Sequence, residues 1–269
     1  RAYQAGHHSR PRREPAALSL RKQMKKPRYL LLDTLRGIGI IGVVAYHFLY
    51  DLVRFFGVEA AWLDTTAAYL FQQGTVFLFV FIAGISAHLT QNIWQRGLVL
   101  SLWGLALTGL TYFFAPQALI AFGILSLLGA ATLLTAALAP LLKQTASLLT
   151  SLVYVLLYFV THEVSQGLLV LPGLAELRLP EVLYESRYLF PLGLPDKHFF
   201  SADFFPLLPW LFPYWSGYSL WHVLGVPDKQ RFLNTPLPSL ALIGRHSLAI
   251  YLLHQPILLA FLYLWFQSK

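Results

Sequence analysis

Cysteine is absent from all 269 residues, which excludes disulfides, thiolate nucleophiles and cysteine metal sites. Charge is scarce as well. Asp, Glu, Lys and Arg together make up 12% of the chain, against about 25% in ordinary soluble domains. From Gly97 to Leu142 no charged residue occurs. Methionine appears once, at Met24, directly before the run KKPRYLLLD. The space is filled by apolar residues, at 57% of the chain. A soluble core of this size could not hide that much apolar surface, whereas a bilayer can. The sequence therefore reads as all-α, a polytopic transmembrane helical bundle.

The formal charge of +8 does not point to nucleic acid, because ten of the twenty Lys and Arg lie in the first 36 residues. Residues 1–27, rich in Arg, Pro and His, read as a disordered basic segment, with sequence upstream of the true start as the alternative for 1–23. Residues 28–269 read as one transmembrane domain. The first apolar run has no small-residue cleavage site, so it is expected to stay as a helix.

Apolar stretches of spanning length fall at about 35–55, 68–89, 97–115, 118–141, 145–162, 204–223 and 240–266, seven in all. The short apolar stretch 164–174, broken by Gly and Pro, reads as re-entrant or interfacial, with an eighth span as the competing count. Lys25, Lys26, Arg28, Arg36, Arg96, Lys143, Lys229, Arg231 and Arg245 gather on one side if the N-terminus is cytoplasmic. The opposite side then holds Arg54 and Lys269 and the loop 163–203, where six of the twelve acidic residues lie. This bias predicts N-inside, C-outside insertion.

Ionisable groups inside these spans are costly and mark candidate sites. Residues four and seven apart share a helix face, so His47, Asp51 and Arg54 form one stripe with Tyr50 beside it. A histidine held by a carboxylate suits a general base. The alternative is a structural role, His47 bonding a neighbouring helix and Asp51 pairing with Arg54. In the last span Ser247, Tyr251 and His254 make a second stripe, with Arg245 and His246 at its mouth. Two such stripes point to a shared polar pocket, although a structural network would leave the same pattern. Asp203 is placed to cap a helix starting near Phe204. Pro206, Pro209 and Pro213 predict irregular backbone there, of the kind tolerated at membrane depth only where it is buried or lines a cavity.

Three motifs carry a resemblance: LDTLRGIGIIGVVAYHFLYD (32–51), IAFGILSLLG (120–129) with DFFPLLPW (203–210), and GRHSLAIYLLHQP (244–256). Together they resemble small bacterial members of the heparan-alpha-glucosaminide N-acetyltransferase catalytic-domain family, within the transmembrane acyltransferases. The resemblance spans about residues 28–262. It implies transfer of an acetyl group from cytosolic acetyl-CoA, as co-substrate, to a sugar amine or hydroxyl across the membrane, which for a bacterial member is the inner (cytoplasmic) membrane. His47, Asp51, Tyr251 and His254 are then the catalytic candidates. Asp33, Arg36, Asp203, Arg245 and Ser247 are candidates for binding CoA or the acceptor, with no metal involved. Partners would be the bilayer, a small-molecule or glycan acceptor and a further copy of the chain, with no nucleic acid. Two departures stand out. The histidine proposed to carry acetyl in the human-type enzymes has no counterpart in 55–67, and Ser126 stands where many small relatives have histidine. Direct transfer with His47 as base follows more simply than a covalent acetyl-histidine. The competing reading is a small transporter or lipid-translocating protein, since buried ionisable groups and broken helices also line transport paths.

Overall fold

The structure, a computed structural model, describes residues 29–171, 173–223 and 237–268. The expectation of disorder over 1–27, and the Lys and Arg counted at 25, 26, 28, 229, 231 and 269, lie outside the described residues.

Among the described residues the chain folds as α1 (Leu30–Arg54), α2 (Thr66–Ala87), α3 (Ile93–Phe114), α4 (Ile124–Ala137), α5 (Ala139–Gln144), α6 (Leu148–Thr161), α7 (Leu207–Val223), α8 (Pro238–Arg245) and α9 (Ser247–Gln267). Local chemistry sets several starts. The side chains of Thr65, Asn92 and Ser147 accept from the amides of Ala68, Gln95 and Thr150, capping α2, α3 and α6. Pro116 follows the end of α3, and Pro140 sits in the first turn of α5.

Five stretches are long and apolar enough to cross a membrane: Leu30–Arg54, Thr66–Ala87, Ile93–Phe114, Leu148–Gln166 and Ser247–Gln267. The expected spans 118–141 and 204–223 prove shorter, at 14 residues for α4 and 17 for α7. By length and composition five qualify among the described residues, which does not confirm the expected seven; α4 and α7 are shorter apolar helices packed within the bundle. Hydrogen bonds tie Leu119, Ala121 and Phe122 to residues 201–205 ahead of α4, and Leu208 is non-helical inside α7. The stretch 164–174 is not an eighth span. It makes a single 3₁₀ turn (Val164–Gln166) and then β1 (Leu168–Leu171), which pairs antiparallel with β2 (Ala175–Arg178) in an exposed hairpin. Four-residue strands are too short to cross hydrocarbon.

The buried centre lies between α2, α4 and α7, where Val80, Leu127, Ala131, Tyr214 and Tyr218 pack together. Outward faces of the long helices stay apolar and exposed, as at Leu102, Leu105 and Phe113. That is the pattern of a lipid-facing surface, and the chain is a multi-pass membrane protein.

Three helix pairs cross through reciprocal glycines. A Cβ on Gly84 of α2 would overlap the carbonyl oxygen of Tyr214 on α7, and one on Gly217 that of Phe81. Gly37 of α1 and Gly244 of α8 stand likewise against Leu240 and Asp33, and Gly104 of α3 and Gly129 of α4 against Ser126 and Ser101. Between lipid-solvated helices there is little hydrophobic drive to associate, so close backbone approach supplies the packing. These crossings bring the start of α1, the end of α2, the start of α3 and α8 to one end of the bundle. The end of α1, the start of α4 and the 162–206 segment meet at the other.

Candidate active site

At the first end, arginines converge on one carboxylate. Arg36 Nη1 donates to Asp33 Oδ1 at 2.5 Å, and Arg245 Nε lies 3.5 Å from Asp33 Oδ2. Arg36 Nη2 also donates to the Ser86 hydroxyl. Arg96 Nη1 donates to the Ser86 carbonyl at 3.1 Å and to Thr90 Oγ1 at 2.9 Å. Arg36, Arg96 and Arg245 line a cavity of about 620 Å³, together with Asn92, Gln95 and Ser247. Asp33 pairs with two of these guanidiniums, Arg36 and Arg245, while Arg96 bonds a carbonyl and a hydroxyl, so the cavity keeps excess positive charge. Of the residues expected to bind CoA or the acceptor, Arg36, Arg245 and Ser247 line this cavity, Asp33 bridges the two arginines, and Asp203 lies in the other cavity. Arg96 was missed, because it was read only as a sign of topology.

At the other end a second cavity of about 150 Å³ is lined by His47, Tyr46, Tyr50, Gln72, Thr75, Asp203 and Tyr251, among others. His47 faces its interior, with its ring centroid 4.9 Å from that of His254 in an edge-on arrangement. His254 Nδ1 lies 2.5 Å from the carbonyl oxygen of Tyr251. A carbonyl only accepts, so Nδ1 carries the proton and Nε2 holds the lone pair. That Nε2 is buried without a hydrogen-bond partner. An unpartnered imidazole nitrogen beside a second histidine is suited to receiving a proton.

Two expectations need correction here. Asp51 does not orient His47. It is fully buried, and both its oxygens accept from Gln255 Nε2 at 3.0 Å. Arg54 makes no ion pair with it either; its guanidinium lies 5.8 Å from the centre of the Tyr50 ring. Spacing along α1 placed Asp51 on the right face, but Gln255, one residue beyond His254, was not considered as its partner. The second correction concerns Asp203, which does not cap a helix at Phe204. α7 begins at Leu207, and the Asp203 carboxylate sits instead at the start of α4, where it meets the Ile124 amide.

Asp203 is held from several sides. The Ser201 hydroxyl donates to its carbonyl at 2.9 Å and accepts from the Ala121 amide at 2.9 Å. The amides of Ala202 and Phe205 donate to the carbonyls of Leu119 and Phe122 at 2.8 and 3.1 Å. Phe122 takes φ +62° in this clamp, a conformation uncommon outside glycine. The Tyr251 hydroxyl donates to Asp203 Oδ2 at 3.2 Å. Burial pushes the Asp203 carboxyl above the usual carboxylate range, opposed by its bonds to Tyr251 and Ile124 and by the charge of His254. Among the described residues no group of His, Asp and Glu could hold a metal ion.

The family model for heparan-alpha-glucosaminide N-acetyltransferase, catalytic, matches residues 28–256. The chain belongs to that family. Membership makes it a membrane protein of an acetyltransferase family, and the match covers both chambers and every candidate site residue. No curated protein and no solved structure matches the chain.

Proposed function

We propose that this family member transfers an acetyl group from acetyl-CoA, bound at the arginine end, to an amine or hydroxyl of a sugar bound at the histidine end. The observation that carries this reading is the pair of cavities meeting end to end, one cationic and one lined by imidazole and carboxylate. The cationic cavity is within the size range of small-molecule sites. Its guanidiniums suit bidentate contact with the phosphates of CoA. The Lys and Arg bias supports a cytoplasmic arginine end and an N-terminus inside, and the inner membrane is the residence we propose with them.

In the reaction the acceptor nitrogen or oxygen attacks the thioester carbonyl carbon. A bond from carbon to the acceptor forms, the carbon–sulfur bond breaks, and CoA leaves as thiolate. His47 takes the acceptor's proton, and His254 is the adjacent imidazole that can share it. The proton finally goes to the thiolate. Tyr251 has its hydroxyl proton directed to Asp203, which makes it a wall of the site rather than a free oxyanion donor. Asp203 faces the acceptor chamber, where a sugar amine or hydroxyl can donate to it.

The test is release of free thiol from acetyl-CoA by the purified protein in vesicles, with glucosamine as acceptor. His47→Ala should abolish release while CoA affinity, read by calorimetry, stays unchanged. Full activity in His47→Ala, or an intact protein that does not bind CoA, would overturn the proposal.

A further inference from the structure

The two chambers touch at one place. Of all their lining residues, Phe79 and Tyr251 alone belong to both. Phe79 has no polar atom with which to be pinned. Tyr251 has one, and it is engaged: its hydroxyl reaches across to Asp203 Oδ2 at 3.2 Å. Bonds of this type usually measure about 2.7–2.8 Å, so this one is long and weak. The two ends of the bond differ in rigidity. Asp203 is fixed through the clamp of 201–205 onto 119–124, whereas the Tyr251 ring hangs from a helix by rotatable bonds.

We propose that Tyr251 is a gate between the chambers, held shut by its hydrogen bond to Asp203. Rotation of the Tyr251 ring away from Asp203 joins the cavities into one passage through the bundle. Closure keeps the arginine chamber apart from the far side. This refines the acyl-transfer reading, in which an acetyl group has to cross this point, but the gate itself stands on the geometry and is tested without any transfer reaction.

Absence of cysteine makes the test clean, because a single introduced thiol reports alone. The Thr75→Cys variant places that thiol in the histidine chamber and the Gln95→Cys variant in the arginine chamber. Each is reconstituted in vesicles and exposed to a membrane-impermeant methanethiosulfonate from either face. The face that labels Gln95→Cys defines the arginine side. From that side Thr75→Cys should react slowly. Adding Tyr251→Phe, which removes the latch but not the ring, should raise the rate severalfold, up to about tenfold, the worth of one neutral hydrogen bond. Tyr251→Ala should raise it further. An unchanged rate from the opposite face reports that the fold is intact. Fast labelling from the arginine side with Tyr251 present would overturn the gate. So would a rate that neither substitution alters. A failed gate leaves the transfer assay free to succeed, and a failed transfer assay leaves the labelling result standing.

Discussion

Asp51 and His47 lie four residues apart on α1, yet they face different partners. Among the described residues the Asp51 carboxylate accepts from one side-chain amide, that of Gln255, and Gln255→Leu should leave it buried without a donor. The expected loss is about 1–3 kcal/mol, the usual cost of an orphaned buried group, seen as a lowered unfolding midpoint in detergent. Asp51→Asn should likewise change stability more than turnover, because no hydrogen bond joins it to His47 among the described residues. Asp203 carries a pH dependence of known sign. Its carboxyl is raised by burial in the folded state, so the native protein holds this proton more tightly than the unfolded chain does. The stability it contributes is full below the unfolded value, near pH 4 or about there, and is lost as pH rises through the raised folded value. Asp203→Asn should remove this component, making the melting midpoint less sensitive to rising pH than in the parent. An equal pH slope in both proteins would refute the assignment.

Elements in this bundle meet through glycine. Gly84→Ala or Gly217→Ala would drive a methyl group into a carbonyl oxygen on the facing helix, so α2 and α7 would have to separate. Either variant should lose the sharp unfolding transition or fail to express as a monodisperse species. Gly109 on α3 is the matched control, with nothing within 4 Å of its added Cβ. Gly109→Ala should be neutral or more stable by about 0.5–1 kcal/mol, the helix-interior penalty of glycine. The hairpin β1–β2 teaches a complementary lesson about elements. By its apolar content VSQGLLVLPGL (164–174) reads as a re-entrant or interfacial segment, or as an eighth span. The Gly173 turn, at φ +74°, folds it back on itself, and backbone pairing between the strands satisfies the amides that a span would have to satisfy helically.

For the whole molecule, the arrangement of ends predicts both topology and binding. Reporters inserted after Arg96 and after Glu181 should lie on opposite sides of the membrane, and finding both on one side would sink the orientation proposed above. Arg96→Ala should weaken CoA binding, because among the described residues Arg96 bonds a carbonyl and a hydroxyl and pairs with no carboxylate. Arg36→Ala should weaken binding and also release Asp33 from its bridge. Unchanged CoA affinity in both variants would remove the arginine chamber from the donor site.

The class of the molecule was legible from sequence alone, because burial in lipid demands long uncharged runs and leaves nothing else for them to be. The helical stripes were legible for the same reason: period fixes which residues share a face, and His47, Tyr251 and His254 do come together. Partner choice was not. Whether Asp51 meets His47, Arg54 or Gln255 depends on how far α9 slides along α1, and no local pattern encodes that register. Asp203 capping α4 rather than its own helix depends on the clamp between segments 80 residues apart in hydrogen-bonded pairs such as Ala121 and Ser201. Arg96 needed the fold for its role, since one charge at a helix start reads equally as an anchor to headgroups. The two chambers and the tyrosine between them exist only once the glycine crossings have set the helix spacing, because a cavity is defined by what several elements leave unfilled.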